Sequence, residues 1–263
     1  MDLATALGLE SGELVALIGA GGKTTAAWQL LRSLVASGER VVFTTTTYIF
    51  EPQKAPLLLN PWPEPANIVQ SLLIESPALF LAATRAEKGN PQQAARSPYP
   101  ALPARLKGLD PHILTELARR VPGATWLVEA DNAQGRPLKA PAEDEPAMPP
   151  GADRIIVVAS LEALGRRIEE QAVQHPDIAA AILGTPLGTP ITPELMITLL
   201  SHPAGGLKRV PKQAAVIALL TQQGKSLHPS AHAIGQKLAA GTRIQRVVLT
   251  SLHDAAPVVG VWP

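Results

Sequence analysis

Cysteine is absent from this chain of 263 residues. That excludes disulfides, thiolate metal sites, iron–sulfur ligation and a cysteine nucleophile. Aromatic residues are scarce at 3%, so a core must rest on Leu, Ile, Val and Ala, a composition suited to helices packed on a parallel sheet. No apolar run approaches the roughly 18 residues of a membrane span. The net charge is +1 without a long basic run, so neither a membrane nor nucleic acid is expected as a partner. Met1 to Leu9 carries Asp2 and lacks the basic and apolar regions of a signal peptide. The expectation is a soluble, cytoplasmic protein.

What is present is apolar and proline-rich. Hydrophobic residues reach 46%, enough for a sizeable core, and the 26 prolines are in excess. The prolines concentrate at Pro52 to Pro65, Pro91 to Pro103 and Pro137 to Pro150. These stretches read as stiff surface loops inserted in one domain, so residues 1–263 are taken as a single nucleotide-binding domain.

Leu14 to Ile18 is an apolar run of strand length ended by glycines. Thr24 to Ala36 has helical spacing, Gly38 stops it, and Arg40 to Phe43 is a second strand. Strand, helix and strand in this order predict a βαβ unit with parallel pairing. Further strands are expected at Ala78 to Ala83, Trp126 to Val128, Ile155 to Val158, Val216 to Leu220, Val247 to Thr250 and Val258 to Trp262. Helices are expected from Pro111 to about Arg120, capped by Asp110, then Pro193 to Leu200 behind Thr192, and Ser230 to Ala240. The fold class is α/β: a mainly parallel sheet flanked by helices in a three-layer, P-loop-like architecture.

Between the first strand and helix lies Gly19-Ala20-Gly21-Gly22-Lys23-Thr24-Thr25. Glycines let backbone N–H groups point at phosphate oxygens, the helix N-terminus adds partial positive charge, and Lys23 adds a full one. Thr24 is placed to offer its hydroxyl to Mg²⁺. The spacing is the shorter G-x-x-G-K-T-T form seen in Mur-type ligases. In a dinucleotide-binding reading the third glycine position is Thr24 and Lys23 has no role, so a triphosphate is preferred. The expected ligands are ATP or GTP with Mg²⁺.

Trp126-Leu127-Val128 runs into Glu129 and Asp131, which share one side of an extended strand. A carboxylate there holds Mg²⁺ in P-loop proteins. Thr24 and Asp131 are the candidate metal ligands, and the choice between Glu129 and Asp131 stays open. Gly135 to Pro141 follows. It could present Arg136 and Lys139 to phosphate or to an acidic substrate, with Arg136 as an arginine finger beside the catalytic candidates Glu129 and Asp131. Thr44 to Thr47 ends the second strand at the edge where open sheets bind ligands. Lys208, in Gly205 to Arg209, is a candidate for a second anion loop, against the alternative of a solvated turn. His175, beside Pro176 and Asp177, is a candidate catalytic or ligand residue against the alternative of a surface or capping histidine, whereas His202, His228 and His253 are scattered without metal-ligand spacing.

Taken together, the 19–25 loop, Thr44 to Thr47, Val128 to Asp131, Gly135 to Pro141, Ala163-Leu164-Gly165, Ile191 to Glu194 and Gly205 to Lys208 resemble the YqeC family in order and spacing, over roughly residues 10–262. Those proteins are accessory factors of selenium-dependent molybdenum hydroxylases. The resemblance implies a P-loop nucleotide-binding fold and a role in maturing or inserting a selenium- or molybdenum-containing cofactor, with a molybdenum hydroxylase or its cofactor as partner. Three departures stand out. Asn132 to Gly135 replaces the family's Gly-Ser-Arg-Gly, Asp144-Glu145-Pro146 replaces His-Glu-Pro, and Thr221 to Gly224 replaces Asn-Lys-x-Asp, the guanine-reading signature. Three activities remain open: an NTP-driven maturation enzyme, a nucleotide-gated chaperone with 131–141 as its switch, and a ligase or kinase acting on a small molecule.

Overall fold

The computed structural model describes residues 1–52, 56–60, 62–86, 104–223, 226–254 and 256–263. The proline stretch from Pro91 to Pro103 lies outside them.

The centre is one nine-stranded sheet. In chain order its strands are β1 (Leu14–Gly19), β2 (Arg40–Thr45), β4 (Leu57–Leu59), β5 (Ala78–Ala82), β8 (Ala124–Glu129), β10 (Arg154–Ser160), β12 (Ala215–Thr221), β13 (Arg246–Thr250) and β14 (Val258–Trp262). Across the sheet they run β14-β13-β12-β10-β1-β8-β2-β5-β4. Every neighbouring pair is parallel except β13 with β14. The apolar runs form central strands because both faces of the sheet are covered. Leu14, Ala16 and Ile18 pack into one core with helices α3 (Pro65–Glu75), α4 (Pro111–Arg120), α5 (Pro176–Leu183), α6 (Pro193–Ser201) and α7 (Ala231–Gly241). Val15 and Leu17 pack on the other face against α1 (Leu3–Leu7) and α2 (Lys23–Ala36). The architecture is therefore three-layered, as the alternation predicts. The expected caps also form: Asp110 accepts from His112 and Ile113, and Thr192 accepts from Leu195.

Three expectations need correction. Pro52 to Pro65 is not a loop throughout, because it supplies β4, which pairs with β5 at the edge of the central sheet. β1 and β2 are parallel but do not pair, because β8 lies between them, bonded to both. A crossover requires parallel strands in one sheet, not adjacent ones. The apolar β8 gains two hydrogen-bonded neighbours and full burial in that slot, and the register sets Glu129 opposite Leu17 of β1 and Thr45 of β2. The segment 137–150 is not a surface loop over its whole length. Leu138, Lys139, Ala140 and Met148 are buried, and β9 (Leu138–Lys139) pairs with β11 (Val173–Gln174) in a small separate sheet. Its Leu, Ala, Met and Pro residues bury apolar surface that a solvated loop would expose. A second small sheet holds β3 (Tyr48–Phe50), β7 (Arg105–Lys107) and β6 (Thr84–Arg85) in that order, antiparallel.

Candidate functional site

The carboxyl end of β1 turns sharply into α2. Gly19 has φ +85°, and a Cβ there would lie 2.3 Å from the Val158 carbonyl oxygen. Gly21 has φ +78°, and its Cβ would meet Ser160 N at 2.7 Å and Pro137 O at 2.8 Å. Any side chain at either position would push the loop off its neighbours. The loop is held from three sides: Gly19 N–H donates to Asp131 (3.1 Å), Ala20 N–H to Val158 O (2.8 Å), and the Thr221 hydroxyl to Gly21 O (2.6 Å). Gly22 is the N-cap of α2 and offers no side chain to its first turn, whose residues Lys23, Thr24 and Thr25 line the cleft described below.

Lys23, the first residue of α2, is buried, and its ammonium donates to Gly19 O at 2.6 Å. Burial pushes its pKa below the usual lysine value, against the pull of Glu129 and Asp131. Glu129 ends β8, is 8% exposed, and accepts the Thr24 hydroxyl at 2.8 Å. Burial raises its pKa, with Lys23 and the Thr24 hydrogen bond opposing.

Asp131 sits lower. Besides Gly19 it accepts from Asn132 N (2.9 Å) and pairs with Lys139 at 2.5 Å. Burial raises its pKa, with Lys139 and Lys23 opposing. Lys139 also pairs with Glu145 at 2.7 Å, and Glu145 lies 3.3 Å from His175 Nε2. Burial alone would raise Glu145, but hydrogen bonds from Lys139 and from Ala142 N–H outweigh it and hold the carboxyl below its usual value.

That shift has a sign. A carboxyl with a lowered folded pKa contributes stability that is complete above its unfolded value and is lost as pH falls through the folded one. The melting temperature of wild type should exceed that of Glu145→Gln at neutral pH, and the gap should close as pH falls below about 4. A gap independent of pH would remove Glu145 from the network.

A cleft of about 850 Å³ opens over the loop. Gly21 to Thr25, Glu129 and Arg136 line it. Asp131 and Lys139 are not among its lining residues: the Lys139 side chain is 1% exposed and enclosed by two carboxylates and the Asn132 carbonyl. Arg136 reaches the wall, but its guanidinium donates to Glu170 O (2.7 Å) and Gln134 O (2.8 Å). The threonine run supports backbone. Thr44 donates to Leu81 O, Thr45 to Glu129 O and Thr46 to Ala147 O. Gly205 to Arg209 is a turn with Arg209 exposed, and its two cations are engaged with backbone carbonyls. Lys208 donates to Ala142 O, and Arg209 to the carbonyls of Asp144 and Glu143, clamping the outer turn of the 137–150 segment.

Sequence reasoning passed over one wall of the cleft, made by Tyr48, Phe50 and Arg105. The alternation Tyr-Ile-Phe directly after the threonine run is the signal that could have found it. The opposite wall, with Gln222, Gln223, Leu252 and His253, comes from the ends of β12 and β13.

The profile described as "YqeC protein" matches residues 15–177, more than half of the chain. The chain belongs to the YqeC family. The matched segment runs from β1 into α5 and contains the 19–25 loop, Glu129 and the Asp131–Lys139–Glu145 group. A curated relative, the uncharacterized protein YqeC of Escherichia coli (strain K12), is 30% identical over 204 residues, covering 76% of this chain and 72% of its own. Among the described residues of this YqeC-family chain, no helix is long and apolar enough to cross a membrane, and no group of three or more His, Asp and Glu could hold a metal ion.

Proposed function

We propose that this YqeC-family chain binds a nucleoside triphosphate with Mg²⁺ on the 19–25 loop and acts in the cytoplasm as an accessory factor in maturing selenium-dependent molybdenum hydroxylases. The observation that carries the nucleotide reading is the contact between Thr24 and Glu129 at the loop's mouth, 2.8 Å between two hard oxygen donors from α2 and β8. Such a pair suits Mg²⁺, which takes one or two protein oxygens and completes its shell with phosphate and water. Bound there, Mg²⁺ would neutralise charge developing on the transferred phosphoryl group. Glu129 is therefore assigned to the metal with Thr24. Asp131 takes a positioning role, holding the Gly19 N–H and the buried Lys139.

Within the site, Lys23 exchanges a backbone carbonyl for phosphate oxygens, and the α2 N-terminus directs N–H groups at the same charge. Arg136 holds Glu170 O and Gln134 O with two of its five N–H donors, and the others can meet phosphate. ATP is the nucleotide assigned, because Thr221-Gln222-Gln223 offers no carboxylate to pair with guanine. The hydroxylase pathway rests on the family resemblance. A chemical step is favoured over nucleotide gating because the 131–141 segment is tied down: Asp131 bonds the loop, Pro137 O accepts from Ser160 N, and Lys139 is buried.

Calorimetric titration with non-hydrolysable ATP and GTP analogues, with and without Mg²⁺, tests this reading. Saturable Mg²⁺-dependent binding that prefers the ATP analogue is expected. Glu129→Gln should cut the Mg²⁺-dependent gain in affinity about tenfold, and Asp131→Asn should reduce it less. Equal affinity with and without Mg²⁺ in wild type would overturn the metal assignment. A larger loss in Asp131→Asn would move the ligand to Asp131.

A further inference from the structure

One wall of the cleft has a composition that phosphate binding does not explain. Tyr48 and Phe50 are 45% and 49% exposed, on either side of the buried Ile49, and both face the cleft. They are one of only two tyrosines and one of only three phenylalanines in the chain. The other two phenylalanines, Phe43 and Phe80, lie in the core 5.0 Å apart, packed with Trp28. Arg105 stands directly across from Phe50 on β7, with its guanidinium carbon 5.1 Å from the centre of the Tyr48 ring. Among the described residues it has no carboxylate partner, whereas Arg85 of the same sheet is paired with Glu51. Two aromatic faces and a planar cation with no carboxylate partner among the described residues thus share one surface. That combination stacks on flat π-systems and attracts an anionic substituent.

The position separates this wall from the other side of the loop. β3 continues from β2, the strand next to β8, so the aromatic wall stands on the Glu129 side of the phosphate loop. On the opposite flank, β12 and β13 close over the loop. Thr221 bonds Gly21 O, and the Leu252 side chain would lie 2.9 Å from a Cβ on Gly22. A nucleotide whose base extends along that flank leaves the aromatic wall free beyond its terminal phosphate. We propose that Tyr48, Phe50 and Arg105 form the subsite for a second substrate, a planar heteroaromatic ring carrying a phosphate, held with its ring on the two aromatic side chains and its anion at Arg105. This rests on the triphosphate reading of the 19–25 loop for its role, but the subsite can be measured separately.

The test uses the full chain saturated with Mg²⁺ and the non-hydrolysable ATP analogue. The probes are flavin mononucleotide and riboflavin, followed by fluorescence quenching, and guanosine monophosphate, followed by calorimetry. Saturable binding of flavin mononucleotide or guanosine monophosphate is expected, with riboflavin about tenfold weaker than flavin mononucleotide. Tyr48→Ala and Phe50→Ala should each weaken the phosphorylated probe about tenfold. Arg105→Met should bring flavin mononucleotide down to the riboflavin level and leave riboflavin itself unchanged. In all three variants the ATP analogue should bind within about twofold of wild type.

If neither phosphorylated probe binds a wild-type protein that does bind the ATP analogue, the proposal is overturned. If the aromatic variants lose the ATP analogue in parallel, the wall is the nucleotide's own base site and the second-substrate assignment fails. Failure of wild type to bind the ATP analogue at all sinks the loop assignment instead, and quenching of flavin mononucleotide in its absence still reports on the wall.

Discussion

Lys23→Ala is expected to abolish measurable binding of a magnesium–ATP analogue, with Kd rising about 100-fold or more. The ammonium is the one full positive charge of the loop, and it is buried against Gly19 O beside two carboxylates. Charge-assisted hydrogen bonds from a buried cation contribute about 3 kcal/mol, and each 1.4 kcal/mol is tenfold in affinity. Removing the amine also leaves Glu129 and Asp131 facing incoming phosphate with less compensation. The fold should survive, because Asp131 keeps Lys139 and the glycine turn needs no side chain from position 23. Calorimetry beside a circular dichroism melt measures both effects. A folded Lys23→Ala protein that binds the analogue as wild type does would end the phosphate-loop assignment.

The second large effect concerns stability. Lys139→Met removes the cation from between Asp131 and Glu145 and leaves Asp131 buried without its closest countercharge. Breaking a buried ion pair from one side costs about 3–5 kcal/mol, since the stranded charge keeps its desolvation penalty. For a chain of this size that lowers the melting temperature by about 10 °C. The double variant Asp131→Asn with Lys139→Met should recover much of the loss, because an amide can still accept from the Gly19 N–H without carrying a buried charge. Triphosphate affinity in Lys139→Met should fall far less than in Lys23→Ala, since the Lys139 amine does not line the cleft. A Lys139→Met protein as stable as wild type but unable to bind the analogue would reverse this and return Lys139 to the phosphates.

The two lysines show how far residue type and spacing carry. Both precede or follow glycine- and proline-rich turns and both read as phosphate ligands. Lys23 sits in the first turn of α2, four residues from the carbonyl it holds, so its place follows from the local loop. The position of Lys139 depends on β9 pairing with β11 and on Glu145 folding back to it, which no local pattern announces. The carboxylates divide in the same way. Alternation along β8 puts Glu129 and Asp131 on one side. Only the insertion of β8 between β1 and β2 brings Glu129 to Thr24 across 105 residues, and Asp131 to Gly19 across 112.

The sequence by itself determined the α/β class, the strands of the sheet's centre, the glycine turn with its lysine, and the caps at Asp110 and Thr192. Each of these depends on hydrophobic period, backbone conformational freedom or hydrogen bonds between residues a few positions apart. Tertiary structure alone decided the strand order, the burial of the 137–150 segment, the separation of Glu129 from Asp131, and the meeting of Tyr48 with Arg105 beside the loop. Those arrangements join residues tens to hundreds of positions apart. They are selected by which packing buries the most apolar surface while leaving no buried charge unpaired, a property of the whole chain and not of any window within it.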